Sequence, residues 1–565
     1  MGHPQRLDDE NPAFVPGSNN WVLSGAHTAS GKPLLANDMH LPHRIPNTWY
    51  EVHLTVEAAA GEAESSGAYD VAGVSLPGVP CVIVGHNRRI AWGFTNLGPD
   101  VQDLYVETFN QRGEYLTPQG WQRPEVRHEV IRVKHGRDRA IDVVVTRHGP
   151  IITPALRAQQ EQNPRLPGAR ESRQLALRWT LYDAAAAAFL FFDLNTAGNW
   201  EEFRRALSHM ASPAQNVVYA DVDGHIGYQA TGLIPIRAAG DGSLPVDGSD
   251  DAHEWTGYIP FDELPWLFDP PSGIIATANN RITADDYPYL ITTDWGGPYR
   301  AERIHHVLHS DKKFTRADML ALENDIYSDL DRFLAERFVY AVDHWPQAST
   351  RARQAAALLR QWDGRMAADS AAAAIERHAR SKLYETLLKA KLGDDAKQYA
   401  WMNSGAWLED VVLHSLASWL PPAYGSYEEL LSAMVEKAVS GPEAPGNLAA
   451  WRYGRDFPVE IAHPLFGKVP VLKRWAGPGR QPQSGSGDTV KQVGRAFGPS
   501  ERMTVDFADF DASTLNLVDG QSGNLFSPYF DDQWPAWYAG TSFALPFSKA
   551  AEEGSAAHRL TLEPF

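Results

Sequence analysis

An α+β fold is predicted for this chain from the order of its patterns: hairpins fill the first half, helical periodicity fills a central block, and strands return near the end. Cys81-Val82-Ile83-Val84-Gly85 and Ile90-Ala91-Trp92-Gly93-Phe94-Thr95 flank a polar tip, His86-Asn87-Arg88-Arg89, which is a hairpin pattern. Residues 131–134 and 141–146 flank His135-Gly136-Arg137-Asp138 in the same way. Residues 217–220 and 226–228 flank an Asp223-Gly224 turn, a strong local hairpin signal. No helix of crossover length separates the members of any pair, so antiparallel sheets are expected.

Helices begin at Asn199, which can cap residues 200–210, with Glu201 and Glu202 in the first turn where the helix dipole favours them. Thr315 and Asp318 form a capping box ahead of one long periodic stretch to about Trp345. Residues 350–362 and 370–392 also read as helices, which makes 315–440 a mainly helical block. Strands return at 503–507 and 515–518, after a Gly- and Pro-rich loop at 477–487. The sequence shows no internal repeat at a fixed period.

Composition bounds the function. The 565 residues are 43% hydrophobic and 21% charged, ordinary values for a globular protein. Lys plus Arg is 51 against 70 for Asp plus Glu, a net charge of −19. That balance argues against nucleic-acid binding and against docking on anionic lipid. One cysteine, Cys81, excludes an intrachain disulfide and Cys-based metal clusters. The longest apolar run, 184–192, falls far short of the ~20 residues of a membrane span. The N-terminus has no apolar segment of signal-peptide type. Eighteen Trp, 20 Tyr and 22 Phe make the chain rich in aromatics. That suits a core, an apolar pocket or a carbohydrate-active enzyme, but no carboxylate pair stands out for glycoside hydrolysis.

No P-loop, dinucleotide-binding glycine fingerprint or G-x-S-x-G elbow occurs. His305 and His309 lie one helical turn apart without the glutamate a zinc-protease motif needs, since His306 stands in its place. The informative segment is Pro16-Gly17-Ser18-Asn19-Asn20-Trp21-Val22. It is followed in order by Leu34-Leu35-Ala36-Asn37-Asp38-Met39-His40-Leu41, Gly85-His86-Asn87 and Ile90-Ala91-Trp92-Gly93-Phe94-Thr95. Further on come Ala278-Asn279-Asn280, Trp295-Gly296-Gly297-Pro298-Tyr299-Arg300 and Gly520-Gln521-Ser522-Gly523.

This ordered set resembles the penicillin acylase family of N-terminal-nucleophile hydrolases, in its β-subunit region, from Ser18 almost to the C-terminus. The resemblance implies a four-layer αββα core of antiparallel sheets with a helical insertion. It divides the chain into a spacer remnant at 1–17 removed by autoproteolysis, core at 18–314, the helical insertion at 315–440 and core again at 441–565. It implies self-cleavage between Gly17 and Ser18. Small, permissive Gly17 suits a strained turn in which the Ser18 hydroxyl reaches the preceding carbonyl. The freed α-amine, ordinarily titrating at ~7.7–8, can then act as general base, so one residue supplies nucleophile and base.

The same resemblance assigns roles by position. Ser18 is the nucleophile. Asn279, with Asn280 as its neighbour in the motif, is the side-chain donor to the oxyanion, and Asn96 supplies a main-chain N–H as the second donor. His40 is expected to orient Ser18 or a bridging water. Arg300 is expected to hold Asn279 or to meet a substrate carboxylate. His86 and His148 read as structural turn residues. Asp100 and Asp103 match the family's calcium-binding aspartates, and Gln102 adds its backbone carbonyl, hard oxygen donors that suit Ca²⁺. The later aspartate of that site has no match in 287–293, with Asp294 displaced. No organic cofactor is implied. An α subunit, normally part of the acyl pocket, is expected as a separate chain, and the location implied is periplasmic or secreted. The expected activity is hydrolysis of a linear amide between an acyl group and an amine nucleus, of β-lactam or N-acyl-homoserine-lactone type. The alternative is an uncleaved, inactive precursor fragment or binding subunit lacking its α chain.

Overall fold

Two antiparallel sheets of seven strands lie face to face at the centre of the protein. The computed structural model describes residues 17–56, 69–162, 172–188, 190–398 and 404–562, so the spacer residues 1–16 lie outside it. The first sheet runs Ile274–Thr277, Ser18–Leu23, Leu34–Pro42, Glu501–Asp506, Thr514–Leu517, Phe543–Ala544, with Phe497–Pro499 pairing the end of Leu34–Pro42. The second runs Trp266–Phe268, Ile226–Ala230, Gln215–Asp221, Ile90–Asn96, Val84–Asn87, Asp70–Ser75, Tyr50–Thr55. Its centre contains the first and third predicted hairpins, with Gly85 opposite Trp92 and Val218 opposite Tyr228.

Helices cover the outer faces. On the second sheet, Trp200 and Phe203 of helix Trp200–Leu207 pack on Tyr219, and Asn199 caps that helix by accepting from the Glu202 N–H. On the first, Ile304, Leu308, Met319 and Leu322 of helices Tyr299–Leu308 and Arg316–Glu323 pack on Trp21, Leu23, Leu34 and Ala36. The central strands of each sheet are thus buried on both faces, and all six residues of Ser18–Leu23 are buried. The result is the four-layer α+β architecture, in which such strands lose the polar–apolar alternation of a half-exposed sheet. Successive residues of the strand point to opposite layers. Trp21 and Leu23 join the helix-side core, whereas Val22 joins the core between the sheets.

Helices Asp329–His344, Thr350–Arg360, Ala371–Leu392, Ser404–Leu413 and Tyr427–Ser440 share a core of their own around Leu334, Phe338, Leu359, Leu383 and Met434. The single helix expected from 315 to 345 is two. Arg316–Glu323 starts on the predicted capping box, and a second N-cap, Ser328, starts Asp329–His344. Between them Asp325 turns its carboxylate to Arg303 at 2.7 Å, and Tyr327 bridges to Arg365. The second predicted hairpin begins earlier than its sequence suggests, pairing Glu125–Ile131 with Arg139–Thr146, and its first strand is exposed throughout.

Candidate active site

Ser18 opens the strand Ser18–Leu23, opposite Met39, and is 5% exposed. Its hydroxyl donates to the carbonyl of Gly17, and the main-chain N–H of His40 donates to the same oxygen at 3.1 Å. Gly17 is required sterically: a Cβ there would overlap Gln492, Phe497 and His40. The carbonyl carbon between Gly17 and Ser18 therefore sits beside a buried hydroxyl, with its oxygen already held by two donors.

Arg300, the second residue of helix Tyr299–Leu308, ties the predicted residues together. Its Nη1 donates to the Ser18 carbonyl and to Asn19 Oδ1, both at 2.8 Å, and its Nη2 donates to Asn279 Oδ1 at 3.0 Å. Asn279 Nδ2 in turn donates to the Asn96 carbonyl at 2.8 Å. With its oxygen fixed by a cation, the Asn279 amide can present only its N–H face. One of its two hydrogens goes to Asn96, and the second remains for another acceptor. Asn279 has φ 62°, a left-handed conformation that asparagine tolerates better than most residues. Its carbonyl accepts from the Gly296 N–H at 2.9 Å, and Gly296 has no room for a Cβ, which accounts for the first glycine of the Trp-Gly-Gly motif. The Asn96 side chain turns away to accept from Gly98, so its main chain is what faces Asn279. Asn280 serves the turn, accepting from the Ala278 N–H, which separates it from Asn279. Burial pulls the Arg300 guanidinium down to about 10, against the pull of the Asp488 and Asp38 carboxylates.

His40 lies in the site, but its ring is directed at other partners. Nε2 donates to Asp38 Oδ2 at 2.9 Å, and Nδ1 faces Gln492 Oε1 at 3.2 Å. Asp38 also accepts from Asn19 Nδ2 at 3.3 Å and pairs with Arg502 at 3.7 Å. Behind it Glu501 accepts from the Met39 N–H and Asn37 Nδ2, and burial pushes its carboxyl well above the usual range. Burial brings the Lys491 amine down to about 7, with Arg502 adding to the shift and Asp38 opposing it. Asn19, Asp38, Gln492 and Glu501 were not singled out from the sequence. The available signal was polar residues inside strands covered on both faces: Asn19 and Asn20 after Ser18, and Asn37 and Asp38 before His40. Asn20 joins the two sheets, donating to the Gly93 carbonyl at 3.1 Å and accepting from Thr277, whose hydroxyl meets Thr95 at 2.7 Å.

The calcium ligands inferred from resemblance do not form a fitting site. Asp103 accepts from Arg237 Nε and Nη2, both at 2.8 Å, and from Trp255 Nε1 at 2.6 Å. Arg237 Nη2 also donates to the Asp100 carbonyl at 3.1 Å and lies 3.6 Å from the Asp100 carboxylate. Gln102 is exposed and paired in the strand opposite Trp179. A buried guanidinium occupies the charge and hydrogen-bonding capacity a metal would need. Among the described residues no three His, Cys, Asp or Glu side chains are arranged to hold a metal ion. His148 lies in the turn between Arg139–Thr146 and Gly149–Pro150, as expected, and is also a buried clamp: it meets Glu107 at 2.8 Å and Glu254 at 2.6 Å and stacks on Tyr105 at 3.8 Å. His86 is buried and stacks on Phe510 at 4.7 Å.

Comparison with known proteins gives the family and the fold. The family described as penicillin amidase matches residues 3–554. The penicillin acylase 2 proenzyme of Pseudomonas sp. (strain SE83) is 31% identical over 558 residues, covering 94% of this chain and 67% of that protein. The acyl-homoserine lactone acylase QuiP of Pseudomonas aeruginosa is 29% identical over 600 residues, covering 97% of this chain and 69% of that protein. Among solved structures, a thermostable penicillin G acylase from Alcaligenes faecalis aligns with a TM-score of 0.70 at 20% identity, covering 97% of this chain and 100% of that one. With the family matched along nearly its whole length and the fold shared, the chain belongs to the penicillin amidase family and is a hydrolase of amide bonds.

Proposed function

We propose that Ser18 is the nucleophile, first on its own chain and then on a substrate. The carrying observation is the Ser18 hydroxyl on the Gly17 carbonyl, in a buried pocket where that oxygen is also held by the His40 N–H. In self-cleavage, Ser18 Oγ attacks the Gly17 carbonyl carbon. The C–N bond breaks, the Ser18 nitrogen takes up the proton, and Gly17 is left as an ester on Oγ. Water hydrolyses that ester, leaving a Gly17 carboxylate and a Ser18 with free hydroxyl and free amine.

In turnover, the α-amine takes the hydroxyl proton through a water, and Oγ attacks the acyl carbon of a linear amide. The second hydrogen of Asn279 Nδ2 and the main-chain N–H of Asn96 hold the oxyanion, neutral donors that do not titrate in the working range. The amine leaves with a proton, and water releases the acyl group. Arg300 keeps Asn279 oriented, and His40 acts through its main chain and through Asp38. The substrates proposed are acyl amides of the kinds named in the relatives, a penicillin or an N-acyl-homoserine lactone.

The reading carries with it a separate α chain completing the acyl pocket and a periplasmic or secreted location. Exposed Leu465, Val471 and Trp475 on one connection offer apolar surface for such a chain. No helix among the described residues is long and apolar enough to cross a membrane. The aromatic richness has a structural use, since Trp21, Trp92, Trp451 and Trp537 are among the largest fully buried side chains.

The test is a panel of arylacetyl amides and N-acyl-homoserine lactones assayed with wild type and Ser18→Ala, with mass mapping of a trapped acyl group. Hydrolysis lost in Ser18→Ala and an acyl mass on the Ser18 peptide support the reading. Amidase activity that survives Ser18→Ala defeats it.

A further inference from the structure

The helical block and the Ser18 centre share one loop, residues 484–493. Its Val490 carbonyl accepts from Asn19 Nδ2 at 2.8 Å, and its Gln492 faces the His40 ring and closes over Gly17. The loop is braced internally, with the Ser486 N–H on Thr489 Oγ1 at 2.9 Å, Thr489 Oγ1 on the Lys491 carbonyl at 2.7 Å and the Val493 N–H on the Ser486 carbonyl at 3.1 Å. Outward, its Gly485 N–H donates to the Met366 carbonyl at 2.8 Å, its Lys491 N–H donates to the Asp325 carbonyl at 2.9 Å, and Asp488 is its ionic anchor. Asp488 Oδ2 accepts from Arg380 at 2.7 Å, and Arg380 donates at 2.7 Å to Asp331 as well. Both partners, Arg380 on Ala371–Leu392 and Asp331 on Asp329–His344, belong to the helical block. A Cβ on Gly405 of the same block would stand 3.3 Å from Asp488 Oδ1 and 3.4 Å from the Tyr299 ring. Tyr299 precedes Arg300 and donates to Glu409 at 2.6 Å.

We propose that Asp488 is a positioning residue for the Ser18 centre, through which Arg380 of the helical block fixes the 484–493 loop. The inference rests on Ser18 as nucleophile. Losing the charge on Asp488 leaves Arg380 paired with Asp331 and removes the loop's ionic anchor, so the loop can shift while the Gly485 N–H stays on the Met366 carbonyl and the Lys491 N–H on the Asp325 carbonyl. A displacement of about 1 Å in such a site is enough to cost on the order of 10²-fold in rate.

The experiment compares Asp488→Asn and Asp488→Glu with wild type, and Arg380→Lys with Arg380→Met. It reads the rate of conversion to a Ser18 N-terminus, kcat per titrated nucleophile and KM. The expected result is slow processing and kcat down ~10–100-fold in Asp488→Asn, with KM within about threefold, and partial rescue in Asp488→Glu and Arg380→Lys. Wild-type processing and kcat in Asp488→Asn overturn the proposal. So does a loss that only follows the folded fraction, with kcat per titrated nucleophile unchanged. If Asp488→Asn does not fold, the same quantity in Asp488→Glu and Arg380→Lys decides. Wild type and Ser18→Ala run alongside: a wild type that never begins at Ser18, or an active Ser18→Ala, defeats the nucleophile assignment itself.

Discussion

Replacing Gly17 by alanine puts a methyl group where the Gln492 amide, the Phe497 ring and the His40 side chain already stand. The Gly17→Ala chain is expected to stay uncleaved while keeping its fold, read as an intact chain by mass spectrometry with near-wild-type circular dichroism; normal cleavage would show that the tight fit is not needed. Asn279→Asp keeps the shape of a residue that tolerates φ 62° but replaces the N–H face by oxygen. Its kcat is expected to fall on the order of 10²–10³-fold with little change in KM, in steady-state kinetics on a processed enzyme. Arg237 makes a third case. Its guanidinium, 4% exposed, neutralises Asp103, 5% exposed. Breaking a buried pair of this kind typically costs ~3–5 kcal/mol. Arg237→Gln is therefore expected to lower the Tm clearly, while EDTA leaves the wild-type Tm unchanged; a wild-type Tm that drops in EDTA contradicts the assignment. Ser18, Asn279 and Arg300 were legible because the family resemblance gives each of their motif positions a role. Asn19 and Asp38 stand in the same motifs and Gln492 in none, and their parts were not legible because they come from a strand neighbour, a cross-strand register and a loop arriving from about 450 residues away.

At the scale of elements, the hairpins at Asp223-Gly224 and His86–Arg89 were readable because turn chemistry and apolar flanks point the same way. The break between Glu323 and Asp329 was not, since helical periodicity runs through it and the competing interactions are tertiary: Arg303 on Asp325, and the Lys491 N–H on the Asp325 carbonyl. The turn at His148 was readable, but its partners Glu107 and Glu254 were hidden for the same reason. Burial alone would lower the His148 pKa, but hydrogen bonds and charge from Glu107 and Glu254 outweigh burial and raise it. A raised folded-state value means that protonated His148 stabilises the fold. That contribution is present in full below the unfolded value of ~6.5 and is lost as pH rises through the folded value. His148→Gln is therefore expected to lower Tm most at pH 5.5–6, with the gap to wild type narrowing as pH rises; a gap that widens with pH contradicts the clamp.

At the scale of the molecule, two sheets whose central strands are buried on both faces bring residue 18, residue 279 and the 484–493 loop to one end of the sandwich. The helical block braces that end from outside through Arg380 and Glu409. The α+β class and its antiparallel sheets followed from the order of patterns alone. The pairing of a strand at 501–506 with one at 34–42 did not, because nothing local records a partner so far away in the chain. Everything proposed for this chemistry depends on Ser18 becoming a chain terminus. The direct measurement is intact mass with N-terminal sequencing of purified wild type and Ser18→Ala. The account predicts a wild type that begins at Ser18 and a variant that keeps Met1. A wild type that keeps Met1 and stays whole contradicts it.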